Sequence, residues 1–348
     1  MVKKYTVTET WIVNETNPVE STSADQLYER LAKVSGKLPG IDVPLDLQDE
    51  EHFRDEARIY DFLAHIGAVE PRDSGQGQVA AQVQKVLDIG TGDGWPALRL
   101  APRLKSVTAI DAAELRVATA RANAERLGIA NVSIHRMNST SLDFPDSSFD
   151  AVVAASAVEQ SPDPYQTLRE AWRVLRPGGK LRVVFEAYDR AKSGYTEEVF
   201  LTTVENTHPN SLHAGTLGYH YVLRHASPPW ERNYLLRFKT TPEMTEEFRR
   251  LADLLERLGH SPTQAPEIGV QFLERNRTAI VGSSWYELEH FTSSTMKQTL
   301  EEVGFVDVRI TYSASTLAGK IWPYVRHAQL DEKQSKAVCQ GLAELACM

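Results

Sequence analysis

The chain has 348 residues, 42% of them hydrophobic, and its formal net charge is −9 with a pI near 5.6. This composition favours one large globular domain with added elements, and the acidic balance makes the phosphate backbone of a nucleic acid a poor partner. No stretch reaches the roughly 18 apolar residues of a membrane span, and "MVKKYTVTETWIV" is too polar for a signal peptide. We therefore expect a cytoplasmic protein with no membrane insertion and a small-molecule partner.

The hydrophobic pattern divides the chain into five consecutive segments. Residues 1–80 open with a possible strand, "YTVTETWIV", and continue with helical stretches, which predicts an N-terminal cap of a strand and helices. Residues 81–189 alternate short apolar strands with amphipathic helices, the pattern of a parallel sheet covered on both faces. Residues 190–290 lose this alternation, residues 291–325 give a helix, a Gly-Phe turn and final strands, and residues 326–348 form a C-terminal helix.

One helix is predicted within the segment 190–290. Apolar side chains recur there every three or four residues before Gly259, which is a common helix stop. These side chains are Met244, Phe248, Leu251, Leu255 and Leu258.

The two cysteines of the chain, Cys339 and Cys347, lie near its C-terminal end. This placement suits neither a disulfide framework nor a thiolate metal cluster. We interpret both as free thiols.

Three glycines follow the first apolar strand of the segment 81–189, in "VLDIGTGDGWP". Gly90, Gly92 and Gly94 let the backbone approach a ligand, and a helix that begins near Pro96 would point its free N–H groups at it. The spacing is G-x-G-x-G, whereas the nicotinamide fingerprint is G-x-G-x-x-G. Asp111 ends the next strand, where its carboxylate can accept both hydroxyls of a ribose. These features predict a cofactor that contains adenosine.

The run "NSTSLDFPDSSFDAVVAASAVEQSPDPYQTLREAWRVLRPGGKLRVV" resembles the class I S-adenosylmethionine-dependent methyltransferases, in the group that includes ubiquinone and menaquinone biosynthesis enzymes. The resemblance is strong over residues 85–189 and weak over residues 292–313. It implies an α/β, Rossmann-like sheet of seven mostly parallel strands, with a helical N-terminal cap and an inserted lid subdomain. It also implies S-adenosylmethionine as the cofactor.

The resemblance assigns cofactor contacts by matched position. Asp88 would hold the methionine ammonium, directly or through water, and Asp111 would take the ribose hydroxyls. The family usually has Gly-Asp-Ala after the third strand, where this chain has Met137, Asn138 and Ser139, and the Asn138 oxygen can still accept from the adenine amino group. The expected cofactor-binding residues are Asp88, Gly90, Thr91, Gly92, Gly94, Asp111, Ala112, Asn138, Ser139, Ala154 and Ser156.

A general base is needed only when the methyl acceptor carries a proton that it must lose. The family often has a histidine where this chain has Gln160, and a glutamine cannot act as a base. Glu159 could serve instead, as could Glu186, Tyr188 and Asp189 at the end of the fifth strand. Each of these side chains could equally be a solvated or capping residue.

The segment 190–290 carries histidines within "ENTHPNSLHAGTLGYHYVLRH": His208, His213, His220 and His225, with Glu205 close by. These residue types can bind a transition metal, contact a substrate, transfer a proton or pack in a core, and their spacing matches no metal motif. We expect no metal here. The candidate catalytic residues are His208, His213, His220, Glu159 and Tyr188.

The segment 190–290 is also expected to recognise the acceptor, because it follows the fifth strand at the carboxyl edge of the sheet. The helix "EEHFRDEARIYDFLAHIG" is expected to place Phe53 or Tyr60 against the cofactor or acceptor, with packing on the sheet as the alternative. The candidate substrate-binding residues are Tyr60, Gln160, Glu186, Tyr219, His225 and Trp285.

The sequence therefore predicts a methyltransferase that moves a methyl group in line onto an O, N or C atom of a small metabolite. Two alternatives stay open: a binding or scaffold protein that kept the fold without catalysis, and a methyltransferase assisted by a metal on the histidines. A homodimer is possible. The sequence does not identify the acceptor.

Overall fold

The computed structural model describes residues 6–21, 40–41, 43–68, 85–189, 194–202, 217–262 and 265–347. The contacts within the chain define two compact units. We call residues 35–158, 163–185 and 294–348 the core unit. We call residues 1–34, 159–162 and 186–293 the insertion unit.

The elements are numbered in chain order. The helices are α1 (Val7–Thr16), α2 (Glu50–His65), α3 (Ala97–Leu100), α4 (Glu114–Arg126), α5 (Pro164–Val174), α6 (Pro242–Leu258), α7 (Val270–Arg275), α8 (Ser293–Val303), α9 (Ala314–Ala328) and α10 (Glu332–Cys347). The strands are β1 (Val19–Glu20), β2 (Lys85–Ile89), β3 (Ser106–Asp111), β4 (Val132–Arg136), β5 (Phe149–Ala155), β6 (Leu175–Val184), β7 (Tyr195–Thr202), β8 (Leu217–Ala226), β9 (Pro229–Phe238) and β10 (Ile280–Glu289).

The core unit is built on a parallel sheet in the strand order β4-β3-β2-β5-β6. Val86, Ala109 and Val153 are among the fully buried residues of its strands, as expected for a sheet covered on both faces. The chain runs outward from β2 to β4 and then returns to β5 beside β2. This reversal makes the carboxyl ends of β2 and β5 the edge where such sheets bind ligands.

The α/β fold with a parallel sheet is confirmed, although the described residues of the core unit contribute five strands to it and not the seven expected. The final strand predicted after α8 is absent: residues 305–313 form no regular secondary structure. Gly304 and Asp307 both have positive φ, which interrupts an extended run. The apolar alternation that predicted a strand is left at the surface, with Val306 84% exposed.

Helix α2 is fixed to the rest of the core unit by packing and by a buried ion pair. Phe53 packs with its ring centroid 5.4 Å from that of Trp322 in α9, and Cys339 of α10 belongs to the same apolar cluster. The Asp61 carboxylate of α2 accepts from Arg182 of β6 at 2.9 and 3.2 Å. Both side chains of this pair are buried, so the helix is held in one position against the sheet.

The insertion unit holds a second sheet, in the order β1-β10-β9-β8-β7, whose β7 to β10 pairs are antiparallel. One face of this sheet packs against α1, α6 and α7 through an aromatic core that includes Tyr219, Tyr234 and Phe248. The predicted helix before Gly259 is confirmed as α6, with Gly259 ending it at a φ of 88°.

The strand predicted at the N-terminal end was wrong, because Val7–Thr16 form the helix α1. The Thr6 hydroxyl caps this helix by accepting from the Glu9 N–H at 3.1 Å. The buried Glu9 carboxylate accepts from Arg232 at 3.1 Å and from Tyr234 at 2.9 Å. Tertiary contacts of Glu9 therefore outweigh the β preference of the Thr and Val residues.

The helices in the described part of the chain include none that combines the length and the hydropathy of a bilayer-spanning segment.

Candidate active site

The glycine turn lies at the carboxyl end of β2. Gly90, Gly92 and Gly94 have φ values of 74°, 55° and 112°, a region that side chains disfavour. A Cβ added to Gly90 would lie 2.4 Å from the Cβ of Ala157, so the turn and the loop after β5 touch there. No described atom lies within 4 Å of a Cβ added to Gly92. The turn is therefore closed against its neighbour at Gly90 and open at Gly92.

Asp88 is fully buried in β2, directly before the turn. Its Oδ2 accepts from the Ala97 N–H at 3.2 Å, whereas its Oδ1 has no hydrogen-bond partner in the described part of the chain. Burial raises the pKa of Asp88 to about 7, against the opposing effects of Thr91 and the Ala97 N–H. A buried carboxylate oxygen without a donor is a place where a cationic ligand group gains the most binding free energy, because it supplies the missing hydrogen bond.

Asp111 ends β3 beside the same turn. Its Oδ2 accepts from the Gly92 N–H at 2.8 Å and its Oδ1 from the Ala113 N–H at 3.0 Å. Burial raises the pKa of Asp111, and these two N–H groups oppose the rise. A carboxylate has about four acceptor positions, so both oxygens can still accept from a ribose. Ala112, the next residue, is partly exposed and offers backbone beside this carboxylate.

The side chains after β4 that were expected to contact the cofactor already have hydrogen-bond partners within the chain. The Asn138 Oδ1 accepts from the Thr140 N–H at 3.1 Å and from the Thr140 hydroxyl at 3.0 Å. The Ser139 hydroxyl lies 3.0 Å from that of Thr167. The adenine contact expected of Asn138 stays a prediction, and it would add a third donor to an oxygen that already has two.

The residues at the end of β5 lie next to the glycine turn. Ala154 is fully buried in the strand, and Ser156 just after it is exposed, with a φ of 50°. The Ser156 N–H donates to the Val184 carbonyl of β6 at 2.7 Å, which holds the strained residue in place. Non-glycine residues with positive φ are uncommon and concentrate at functional sites.

The aromatic residues of α2 have packing partners inside the core unit. Phe53 is fully buried against α9 and α10, and the Arg103 guanidinium lies 5.3 Å from the Tyr60 ring centroid. These contacts favour packing over the cofactor or acceptor contact expected of the pair. Arg58, on the same helix, lies 5.1 Å from the ring of Trp95 directly after the glycine turn, a contact that the sequence analysis missed.

The four histidines singled out in the sequence are not placed together by the described residues. His208 and His213, with Glu205, lie outside these residues. His220 is buried in β8 with Nε2 2.7 Å from the Asn233 Oδ1, and burial lowers its pKa. The His225 ring stacks on Tyr195 and on Trp230, with centroids 4.6 and 5.2 Å apart.

Within the described ranges, no three His, Cys, Asp or Glu side chains form a group that could hold a metal ion.

Two of the expected substrate contacts lie in the core of the insertion unit. Tyr219 is fully buried and donates its hydroxyl to the Ile268 carbonyl at 2.5 Å. The Trp285 ring stacks on Tyr234, with centroids 6.2 Å apart. Both contacts favour a packing role, because these aromatic residues lie on the face of the sheet that packs against helices.

The residues that follow β5 and β6 lie together in the insertion unit. Glu159 and Gln160 belong to a short 3-10 segment after β5, Glu186 is exposed after β6, and the ring of Tyr188 stacks on His290 with centroids 4.6 Å apart. Burial raises the pKa of Glu159 and raises that of Tyr188 to about 12. The Tyr188 phenol therefore stays protonated near neutral pH.

Sequence reasoning missed His290 and its neighbour Glu231, whose atoms Nε2 and Oε2 are 3.6 Å apart. The two residues are distant in the chain and meet because β9 pairs with β10, which puts Leu288 opposite Glu231. A signal was present in "WYELEH", where a histidine directly follows an alternating strand.

Comparisons with known proteins identify the core. Residues 87–183 match a methyltransferase domain family. The chain is 35% identical over 151 residues to a phosphatidylethanolamine N-methyltransferase of Cereibacter sphaeroides, which covers 43% of this chain and 73% of that protein. It is 38% identical over 99 residues to a 27-O-demethylrifamycin SV methyltransferase of Amycolatopsis mediterranei, covering 28% and 36% of the two chains.

Among solved structures, the YcgJ protein of Bacillus subtilis is 33% identical, with a TM-score of 0.30 over 30% of this chain and 45% of that one. The chain thus spans less than half the length of YcgJ and of the rifamycin enzyme. The chain belongs to the class I S-adenosylmethionine-dependent methyltransferases, and S-adenosylmethionine is its cofactor.

Proposed function

We propose that this protein transfers the methyl group of S-adenosylmethionine, in line, to an O, N or C atom of a small-molecule acceptor. The observation that carries the proposal is the glycine turn between Asp88 and Asp111, open at Gly92 and flanked by a buried carboxylate oxygen without a donor. The residues of this chain fit the cofactor, because its ammonium group would supply the donor that Asp88 Oδ1 lacks.

Each part of the cofactor has candidate partners in the core unit. Asp88 would hold the ammonium, the turn from Gly90 to Gly94 with Thr91 would line the methionyl and ribose part, and Asp111 would accept from the ribose hydroxyls. Ala154 and Ser156, at the end of β5, would lie closest to the sulfonium, and Asn138 and Ser139 closest to the adenine.

The cofactor supplies a methyl group that is already activated for transfer. The protein then has to align the acceptor with the methyl carbon and exclude water from the reacting groups. The residues proposed at the end of β5 are rigidly held, since Ser156 is anchored to β6. Such preorganised backbone keeps the geometry of the transfer without cost at the moment of reaction.

The acceptor would be selected by the insertion unit. The matched family region, residues 87–183, belongs almost entirely to the core unit. The two relatives above are named for different acceptors, a nitrogen of phosphatidylethanolamine and the 27-O position of demethylrifamycin SV. Because the relatives share the core but are named for different acceptors, residues outside the matched region would determine which acceptor binds. In this chain the segments after β5 and β6 both pass into the insertion unit, at residues 159 and 186.

Calorimetry with S-adenosylmethionine, S-adenosylhomocysteine and NADH tests the cofactor site. Asp111→Ala should weaken S-adenosylhomocysteine binding at least about tenfold, because it removes charge-assisted hydrogen bonds to the ribose. Glu114→Ala, which changes an exposed carboxylate three residues further on, is the matched control and should bind as the wild type does. Tight NADH binding without binding of either sulfur nucleoside would refute the proposal.

Release of S-adenosylhomocysteine in the presence of a panel of small hydroxyl, amine and carboxylate metabolites then tests catalysis. Cofactor binding without turnover on any acceptor class would favour a scaffold protein. Loss of turnover with a chelator, restored by Zn²⁺ or Fe²⁺, would show metal assistance.

A further inference from the structure

Two buried polar atoms beside the glycine turn have no hydrogen-bond partner in the described ranges of the chain, and they are of opposite kinds. The Asp88 Oδ1 is an acceptor, whereas the Trp95 Nε1 carries an indole N–H, which can only donate. Proteins pair nearly all of their buried polar atoms. An unpaired acceptor and an unpaired donor at one turn therefore indicate a place for a ligand that supplies the partner of each.

The two side chains belong to the same small part of the core unit. The Asp88 Oδ2 accepts from the N–H of Ala97 at 3.2 Å, so the carboxylate lies beside the backbone that directly follows Trp95 and Pro96. The Trp95 ring packs edge to face on Phe62 of α2, with centroids 6.1 Å apart. The helix and the turn thus hold the indole in place next to the buried carboxylate.

A guanidinium group lies against the same indole ring. The Cζ of Arg58 in α2 is 5.1 Å from the centroid of the Trp95 ring, which is the distance of a cation–π contact. The Arg58 Nη2 donates to the Ser315 hydroxyl at 3.2 Å, and its Nη1 lies 3.6 Å from the Asp55 Oδ1. A guanidinium has five N–H donors in a fork that matches a carboxylate, so Arg58 can bind a further acceptor beside Trp95.

The neighbouring carboxylate compensates the charge of Arg58 only in part. Burial lowers the pKa of Arg58 and raises the pKa of Asp55, in each case against the attraction between the two groups. A closer pair lies in the same unit, where Arg103 donates to Glu56 at 2.6 Å. A second anion beside Arg58 would therefore gain charge-assisted hydrogen bonds that the longer contact with Asp55 does not provide.

We propose that Trp95 and Arg58 together bind the carboxylate of the methionine part of S-adenosylmethionine, while Asp88 binds its ammonium group. The two ligand groups are attached to one carbon atom, so a donor and an acceptor at the same turn can bind both at once. This inference rests on the proposed function and adds the carboxylate to the cofactor contacts given there. It makes the carboxylate a determinant of which adenosine compounds the protein binds.

The charges of the cofactor select its carboxylate for this position. The ribose hydroxyls and the adenine are uncharged, and the ammonium and the sulfonium are positive, so Arg58 would repel the last two. The carboxylate is the anionic group of the cofactor. It can accept from the indole N–H and from the guanidinium at the same time, because it has two oxygens and about four acceptor positions.

The first test uses the wild-type protein and three ligands. Calorimetry compares S-adenosylhomocysteine with its decarboxylated analogue, which keeps the ammonium, and with its deaminated analogue, which keeps the carboxylate. Removal of the carboxylate should weaken binding at least about tenfold, because the charge-assisted hydrogen bonds from Arg58 and Trp95 are lost. Equal affinities for S-adenosylhomocysteine and the decarboxylated analogue would overturn the proposal.

Variants then assign the effect to the two side chains. Trp95→Phe keeps an aromatic ring against Phe62 but removes the indole N–H, and Arg58→Gln removes the charge. Each should weaken binding of S-adenosylhomocysteine and of the deaminated analogue about tenfold. Each should leave the affinity for the decarboxylated analogue within about twofold of the wild type, because that ligand lacks the group that the side chain binds. This unchanged affinity also shows that the variants are folded.

The controls change the same residue types outside the proposed site. Arg54→Gln removes an arginine one turn earlier in α2, whose side chain is 44% exposed. Trp172→Phe changes an exposed tryptophan of α5. Both controls should bind all three ligands as the wild type does.

The outcomes separate this inference from the proposed function. Equal weakening of all three ligands in Trp95→Phe and in Arg58→Gln would overturn the role of the pair at the carboxylate, as would unchanged S-adenosylhomocysteine affinity in both. Either result would leave the methyltransferase function intact. Failure of the wild type to bind S-adenosylhomocysteine would instead refute the proposed function.

Discussion

Alanine at Gly90 and at Gly92 should have different effects, because the two glycines differ in what surrounds them. Both have positive φ, and a side chain in that region costs about 1–2 kcal/mol. At Gly90 the new Cβ would also lie 2.4 Å from the Cβ of Ala157, and such overpacking costs about 1–3 kcal/mol more. Gly90→Ala should therefore lower the free energy of unfolding by about 2–5 kcal/mol, and Gly92→Ala by about 1–2 kcal/mol.

Cofactor affinity should show the opposite contrast. The space beside Gly92 holds no described atom within 4 Å, and we propose that the cofactor passes there. Gly92→Ala should then weaken S-adenosylhomocysteine binding at least about tenfold, beyond its modest effect on stability. For Gly90→Ala, loss of stability should be the main effect.

Urea denaturation followed by tryptophan fluorescence measures the first contrast, since Trp95 lies directly after the turn. Calorimetry with S-adenosylhomocysteine measures the second. Equal losses of stability in the two variants would refute the contact between the turn and the loop after β5. Unchanged affinity in Gly92→Ala would show that the cofactor does not occupy the open side of the turn.

Two further predictions follow from pKa shifts in the core unit. Below pH 7 the free protein holds Asp88 largely protonated, whereas a bound ammonium favours the carboxylate, so cofactor affinity should rise with pH through about 7. Calorimetry in buffers of different ionisation enthalpy should detect proton release on binding at pH 6, and Asp88→Asn should abolish it. For His65, burial alone would lower the pKa, but Asp61 and Cys347 raise it to about 9. Its contribution to stability is therefore complete below about pH 6.5 and lost as the pH rises through 9. For Asp61, burial alone would raise the pKa, but His65 and Arg182 hold it below its usual value, so its contribution is lost in acid. Urea midpoints measured from acid to above pH 9 would reveal both losses of stability. Midpoints that do not change with pH in the wild type would contradict the reasoning.

Local patterns in the sequence were enough to predict the fold class of the core unit. The strand before the glycines, the spacing of Gly90, Gly92 and Gly94, and the carboxylate at the end of the next strand are all short-range features. They predicted the α/β class and a cofactor that contains adenosine, because a parallel strand, a turn and a helix are each encoded within about a dozen residues. The family resemblance over residues 85–189 then implied S-adenosylmethionine. The amphipathic helix that ends at Gly259 was predicted on the same basis.

Tertiary structure decided the rest. Val7–Thr16 became a helix because the buried Glu9 meets Arg232 and Tyr234, which lie more than two hundred residues away. Tyr219 was assigned to the substrate from its aromatic character, yet its hydroxyl is satisfied inside the core.

His290 and Glu231 illustrate the same limit in the insertion unit. Neither residue belongs to a motif, and their proximity arises from the register between β9 and β10. A sequence pattern reports the periodicity of one segment, whereas the register of paired strands depends on side chains from both. For this protein the sequence by itself determined the fold of the core unit, and only the folded chain determined which distant side chains of the insertion unit lie next to one another.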